Sequence, residues 1–346
     1  MHNSKARRKA IRTVRRKQSA DLLAVLFFLL LLPYTCSVLT TEPAENKNGS
    51  AATAAAVSGS ETAVETLAAA SSRYILWEKE NGTWKIPAEE FLLGALAGSI
   101  PGDYREETLK AQAVILRSIS LADQEQTEEQ TVGTENFSLA ESGISYLDRE
   151  SRERLWKENT EESEAKFTRA VQATSGIVLT FEEKIVSPPY FRLSAGQTRD
   201  SSQIWEAEDF SWCRSVSCPH NLEAEEYLQT VTVKRNAFLK KLEQEGILMD
   251  DSNARMVLTR DSAGYVLFVE CSGQQIEGER FRMLFDLASS CFSIREEGKN
   301  MIITTKGIGH GLGFDQYAAD LLAAAGQDYQ GLLNSFFDGL TLEKVE

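Results

Sequence analysis

Apolar positions in this chain follow a helical spacing near its start and end and a strand-like spacing in between. Leu109, Ala113, Leu116 and Ser120 recur three and four residues apart, with Val114 and Ile119 widening the stripe. That pattern predicts a helix over Glu106–Ala122. A shorter apolar run predicts a helix at Ala88–Ala97, ended by Gly98-Ser99-Ile100-Pro101-Gly102, because glycine and proline punctuate regular structure. A short strand is expected at Tyr74–Trp77, a polar, acidic exposed loop at Asp123–Glu141, and a charged helix at Arg152–Gln172. Runs rich in β-branched and aromatic residues then predict strands at Gly176–Phe181, Ile185–Phe191, Thr230–Lys234, Ala254–Thr259, Tyr265–Glu270, from Ser293 onward and at Met301–Thr305. Asp315–Ala325 and Tyr329–Phe337 read as two closing helices joined at Gly326. Helices at both ends with strands between them predict an α+β domain built on a mixed sheet.

The first 72 residues follow a different logic. Residues 1–18 carry eight Lys or Arg and no acid, and the run from Ala20 to Leu39 is mostly apolar. Twenty residues are about what a helix needs to cross the hydrocarbon core of a bilayer. The flanking positive charge keeps residues 1–19 cytoplasmic and sends the C-terminal mass outward. A cleaved signal peptide is the competing reading, since the strongest apolar stretch is only Leu22–Leu32; both readings export the domain. Residues 40–72 are rich in Ala, Thr, Ser and Glu without an aromatic residue, a composition that buries too little to fold and is expected to act as a stalk. The extracytoplasmic domain is expected over 73–346.

Charge excludes one class of partner. The chain has a formal net charge of −14, and outside the basic first 18 residues it holds 29 basic against 51 acidic side chains. Such a surface repels nucleic-acid phosphates. Five cysteines remain: Cys36 at the membrane edge, and Cys213, Cys218, Cys271 and Cys291 in the exported part. Local disulfides (Cys213–Cys218, Cys271–Cys291) and buried free thiols are both open. Cys213, Cys218 and His220 form C-x4-C-x-H, but no fourth ligand lies nearby, so neither a metal nor any other cofactor is expected.

The densest chemistry lies at Gly309-His310-Gly311-Leu312-Gly313-Phe314-Asp315-Gln316. Glycines around His310 permit positive φ and close approach of backbone amides to a ligand. The run opens into a helix for which Asp315 is a natural N-cap. His310 is either an acid, base or hydrogen-bond partner for substrate, or a residue that caps neighbouring backbone in a tight turn. Ser194-Ala195-Gly196-Gln197-Thr198 is a second turn, either polar and ligand-facing or simply structural.

Three segments, in order, resemble the stage II sporulation protein D (amidase-enhancer) family. Glu107-Thr108-Leu109-Lys110-Ala111-Gln112-Ala113-Val114 with Arg117-Ser118 is similar to that family's E-A-L-K-A-Q-A-V-x-x-R-T helix. Ala170-Val171-Gln172-Ala173-Thr174-Ser175-Gly176, leading to Ser194–Thr198 and Trp205, resembles its A-V-x-x-T-x-G and S-G-G-x-T elements. Gly309–Ala319 is similar to G-H-G-V-G-M-S-Q-Y-G-A. The resemblance implies a peptidoglycan-acting protein with a glycan-binding cleft, and lytic transglycosylase chemistry in which one carboxylic acid protonates the glycosidic oxygen and then takes the proton of the C6 hydroxyl. It implies substrate contacts from His310, Gly309, Gly311, Gln316, Ser194 and Thr198. As partners the resemblance implies a cell-wall amidase or other sporulation membrane proteins.

Two departures stand against that chemistry. The family's G-E-M-P element, eight residues before the helix Glu, reads Gly98-Ser99-Ile100-Pro101, so Ser99 occupies the place of the expected acid. The His expected three residues before Ser194 is Phe191. Glu107 is the candidate substitute acid, although a carboxylate in a helix's first turn is also what the helix dipole favours. The zinc-binding His/Cys cluster of some relatives has no counterpart between Ser120 and Trp212. Three readings follow: a glycan-binding protein with a degenerate site, an active lytic transglycosylase, and a non-enzymatic activator or scaffold for an amidase.

Overall fold

The computed structural model describes residues 74–79, 82–128, 144–204, 210–248 and 256–345. The segments expected to form a membrane anchor (20–39) and a stalk (40–72), together with Cys36 and Trp205, lie outside these residues. Among the described residues no helix is long and apolar enough to cross a membrane.

The architecture is α+β, as the pattern predicts, with two hydrophobic cores. A hairpin of Tyr74–Lys79 and Gly82–Pro87 leads into the helix Ala88–Ser99. That helix is apolar on nearly all sides (Phe91, Leu92, Leu93, Ala95 and Leu96 are buried), so it runs through the first core. It stops at Ile100, in extended conformation, because the residue before Pro101 is pushed out of the helical region. Gly94 and Gly98 let the segment 144–148 lie across it: a Cβ on Gly94 would meet the Tyr146 ring at 2.3 Å, and one on Gly98 the Ser145 carbonyl at 2.6 Å. The helix Glu106–Glu128 packs beside it, with Glu106 and Glu107 in its first turn, where the dipole favours acids. It extends six residues into the predicted loop, since once nucleated a helix adds Gln and Glu cheaply.

The charged helix expected at Arg152–Gln172 is two helices, Arg149–Trp156 and Thr160–Ala173, separated by a short 3-10 turn. Lys157 takes φ 52° at the break. Buried ion pairs hold this layer: Arg117 grips Glu89 with two bonds of 2.9 Å, and Arg152 grips Glu164 at 2.9 and 3.1 Å. Ile177–Phe181 pairs with Lys184–Ile185 and with the closing strand Thr341–Lys344. The strand expected over Ile185–Phe191 is split into Lys184–Ile185 and Tyr190–Phe191; Pro188 and Pro189 between them cannot donate to a ladder. Tyr190–Phe191 instead pairs in parallel with Phe314–Asp315.

The second core is formed by an excursion of the chain. Leu193 and Ile308 exchange backbone bonds of 3.1 and 2.7 Å, and Gly307 N donates to Tyr227 O at 2.8 Å. Residues 228–306 therefore leave and return at one place. They form the antiparallel sheet Phe292–Glu297, Asn300–Lys306, Leu228–Lys234 and the sheet Met256–Arg260, Val266–Cys271, Gln274–Glu277. Helices Arg235–Gln244 and Gly278–Leu284, not predicted, supply Phe238, Phe281 and Phe285, which pack with Phe292 at ring-centroid distances of 4.6 to 6.1 Å. The sheet is thus several small sheets rather than one mixed sheet.

Candidate functional site

The three motif segments meet at a junction between the two cores. The helices Gln316–Ala324 and Tyr329–Phe336 close the first core. Asp315 caps the first of them, accepting from Ala318 N at 3.0 Å. Its other carboxylate oxygen accepts from Ser194 N at 2.9 Å and from Asn221 Nδ2 at 2.5 Å, and Asn221 Nδ2 also reaches Ser194 Oγ at 2.9 Å. Asp315 is fully buried, and burial raises its pKa against the pull of these bonds. The second and third motifs are thereby joined by one carboxylate.

The third motif is joined to the first by Gln316. Its Nε2 donates to the Ser99 carbonyl at 2.8 Å and to Gln112 Oε1 at 3.2 Å. Ser99 ends its helix, is 6% exposed, and its hydroxyl turns back on that helix to donate to Leu96 O at 3.2 Å. Asp320, one turn beyond Gln316, accepts from Arg105 N at 2.7 Å and Thr108 Oγ1 at 2.9 Å. Tyr104 is buried under the Arg192 guanidinium, which lies 5.0 Å from its ring centroid.

His310 is 3% exposed. Its Nε2 lies 2.9 Å from Tyr190 O and its Nδ1 accepts from Leu312 N at 3.1 Å, which fixes the neutral tautomer protonated at Nε2. Burial is the largest influence and, with the Arg282 and Arg199 charges, pushes its pKa down to about 4, against the upward pull of Glu279, which outweighs either arginine, and of the bond to Tyr190 O. Phe191, in place of the expected His, packs 5.5 Å from the His310 ring. Gly309 (φ 107°) and Gly311 (φ 81°) are needed sterically: a Cβ on Gly311 would strike the Tyr265 ring at 2.2 Å, one on Gly309 the Phe191 Cβ at 2.8 Å. Thr198 spends its hydroxyl on Arg214 O and Val216 N. Each side chain among the six residues expected to touch substrate is therefore buried and bonded within the protein.

Glu107 lies apart from this knot. One oxygen takes Lys110 Nζ at 2.7 Å, and the other accepts Tyr329 N at 2.9 Å. It ties the helix Tyr329–Phe336 to the helix Glu106–Glu128.

Sequence reasoning missed the ionic seam beneath the Gly-His-Gly turn. Arg199 donates its backbone N to Gly311 O at 2.7 Å, Nη1 to His310 O at 3.3 Å, and Nε to Asp261 Oδ2 at 2.6 Å. Glu279 pairs with Arg282 at 2.8 Å, and although burial opposes ionisation, the two arginines hold its pKa down to about 2. Tyr265, fully buried, accepts from Ala195 N at 3.0 Å. Arg199, one residue beyond Thr198, carried a local signal; Asp261 and Glu279 carried none.

All four described cysteines are free and buried, so the disulfide reading is replaced by the free-thiol one. Burial pushes Cys213 and Cys218 up to about 12 and Cys271 to about 11, which makes them inert thiols. His220 points outward, 72% exposed and beside Glu223, away from the buried Cys213 and Cys218. Among the described residues no three His, Cys, Asp or Glu are grouped as metal ligands.

A two-core α+β protein whose three motif segments are pinned at one buried junction, with a serine at its helix end, defines the class. Residues 78–181 match the family model described as Stage II sporulation protein, and over most of its length the chain is similar to proteins named stage II sporulation protein D. It is 27% identical over 344 residues to "Stage II sporulation protein D" of Bacillus subtilis (strain 168), covering 95% of this chain and 97% of that one. It is 26% identical to the Bacillus amyloliquefaciens protein of the same name, over 75% of each chain. It is also 20% identical to "Amidase enhancer" of Bacillus subtilis (strain 168), over 72% of this chain and 40% of that longer protein.

Proposed function

We propose that this chain is a sporulation-associated cell-wall protein that binds peptidoglycan glycan strands without cutting them. The names of its relatives support the setting. The observation that carries the mechanistic half is Ser99: its hydroxyl is spent on Leu96 O at the place where the family resemblance expects the acid. Glycosidic cleavage needs a proton donor of carboxylic strength, and an alcohol near neutral pH is not one. The carboxylates at the junction are committed elsewhere, Asp315 to Ala318, Ser194 and Asn221 and Asp320 to Arg105 and Thr108, and so is the more distant Glu107, to Lys110 and Tyr329. The strands would lie against the Ser99 end of the junction, with the domain held outside the membrane by the apolar segment 20–39.

The experiment incubates the full chain with amidase-treated glycan strands and looks by mass spectrometry for 1,6-anhydro ends. None are expected from the native chain, while sedimentation with the strands is expected. Anhydro ends that vanish in Glu107→Gln would sink the non-cutting reading. Ser99→Glu is the complementary variant, in which gained cleavage shows that only the carboxylate was lacking.

A second reading, activation of a cell-wall amidase, is favoured by the likeness to the amidase enhancer. Its signature is faster release of stem peptides by an added amidase when the chain is present, without anhydro ends.

A further inference from the structure

Side chains alternate along a strand, so each sheet of the second core turns one face inward and the other to solvent. Met301, Ile303, Val269 and Ile276 point into that core, and the opposite faces point away from it. On the sheet of Phe292–Glu297, Asn300–Lys306 and Leu228–Lys234, the register puts Leu228, Thr230, Thr232, Lys234 and Lys306 on the outer face. On the sheet of Met256–Arg260, Val266–Cys271 and Gln274–Glu277, it puts Val257, Phe268, Glu270 and Glu277 there. The two faces carry opposite charge. Among the described residues no carboxylate pairs with Lys234 or Lys306 and no cation with Glu270 or Glu277, whereas nearby Arg295 and Arg235 hold Glu297 and Glu296. Each face also leaves a large apolar side chain in water: Leu228 is 59% exposed on one, Val257 46% and Phe268 39% on the other. Unpaired lysines are the exception in a chain that, beyond its first 18 residues, holds 29 basic against 51 acidic side chains.

We infer that these faces are the two halves of one contact between copies of this chain, the cationic face of one copy lying on the acidic face of the next. Lys234 and Lys306 then meet Glu270 and Glu277, and Leu228 covers part of Phe268 and Val257. Complementary charge of this kind sets register and partner choice. The contact uses different surfaces on the two partners, so it repeats head to tail and builds rows instead of closing at a dimer. A polyanion answers only the lysine face and leaves Phe268 in water; a second copy answers both. The contact is small. A stable interface takes about 20–30 residues a side, more than the outer face of a three-stranded sheet supplies, so copies free in solution stay mostly apart. Held on one membrane by the segment expected at 20–39, they meet at a raised effective concentration, where a weak, repeated contact is sufficient.

The test reconstitutes donor- and acceptor-labelled full chain in phosphatidylcholine vesicles and reads energy transfer between copies. A carbodiimide, which joins an amine to a carboxylate where the two touch, then locates the contact. Transfer is expected in the native chain, with linked species of two, three and more copies and links between Lys234 or Lys306 and Glu270 or Glu277 in mass spectrometry. Two double variants reverse one face each: Lys234→Glu with Lys306→Glu, and Glu270→Lys with Glu277→Lys. Either alone is expected to associate about tenfold more weakly, since both its faces then carry the same charge. An equimolar mixture is expected to regain native transfer, because each variant offers the face the other lacks. All four side chains lie on outer faces, so native thermal unfolding is expected in both. Links that stop at two copies or fall elsewhere overturn the inference, as does transfer that persists in either variant alone or is absent from the native chain. If the native chain stays single and the lysine reversal instead abolishes sedimentation with amidase-treated strands, the cationic face belongs to the glycan and the inference is overturned.

Discussion

The side-chain amide of Gln316 donates to the backbone carbonyl of Ser99 at 2.8 Å across 217 residues of sequence. Because Gln316 also reaches Gln112, one side chain joins the start and end of the first core at the position where family chemistry would reside. Gln316→Leu keeps the volume and removes both bonds, leaving the Ser99 carbonyl and Gln112 Oε1 unpaired. A loss of about 1–3 kcal/mol is expected, read from the midpoint of urea unfolding at unchanged slope.

His310 sets a pH dependence with a definite sign. Its pKa falls from 6.5 to about 4 on folding, so between those values the unfolded chain binds the extra proton and stability declines as pH drops from about 6.5 to about 4. The contribution is at most about 3 kcal/mol. Nitrogen-resolved NMR of the imidazole should show a neutral ring protonated at Nε2 down to about pH 4. A midpoint near 6.5 would refute the buried, backbone-bonded arrangement.

Gly311 tests the steric half of the motif. Gly311→Ala places a methyl 2.2 Å from the Tyr265 ring at a φ of 81°, so overpacking and backbone strain add, for a cost of roughly 2–5 kcal/mol. Combining it with Tyr265→Ala should cost less than the sum of the two single changes, since the clash is shared. Full additivity in the thermal unfolding of the four proteins would contradict this.

Arg117 belongs to the first motif, yet its guanidinium is structural. It holds Glu89 with two bonds and reaches the Ile177 and Val171 carbonyls. Arg117→Met strands a buried carboxylate, and about 3–5 kcal/mol should be lost. The double change with Glu89→Leu should recover much of it, as measured by denaturant unfolding.

Much of the helical frame was legible from local pattern, because a helix advertises itself within a few turns. The stripe through Leu109, Ala113 and Leu116 placed the helix that begins at Glu106, and Pro101 marked the end of the one before it. Where a break depended on one residue's backbone, as at Lys157, or on two prolines within an apolar run, as at Pro188 and Pro189, the pattern ran through it. The helix Gly278–Leu284 was invisible because its Phe281 and Phe285 face a core assembled from distant strands.

For the site, the amino-acid order alone determined that glycines surround His310, that Asp315 caps the following helix, and that serine stands at position 99. These are properties of neighbouring residues, set by steric freedom and local hydrogen bonding. Whether His310 faces a ligand or the backbone and whether the cysteines pair were decided only when chain segments hundreds of residues apart came into contact. Burial and partner choice arise from that packing, and no short stretch of sequence contains them.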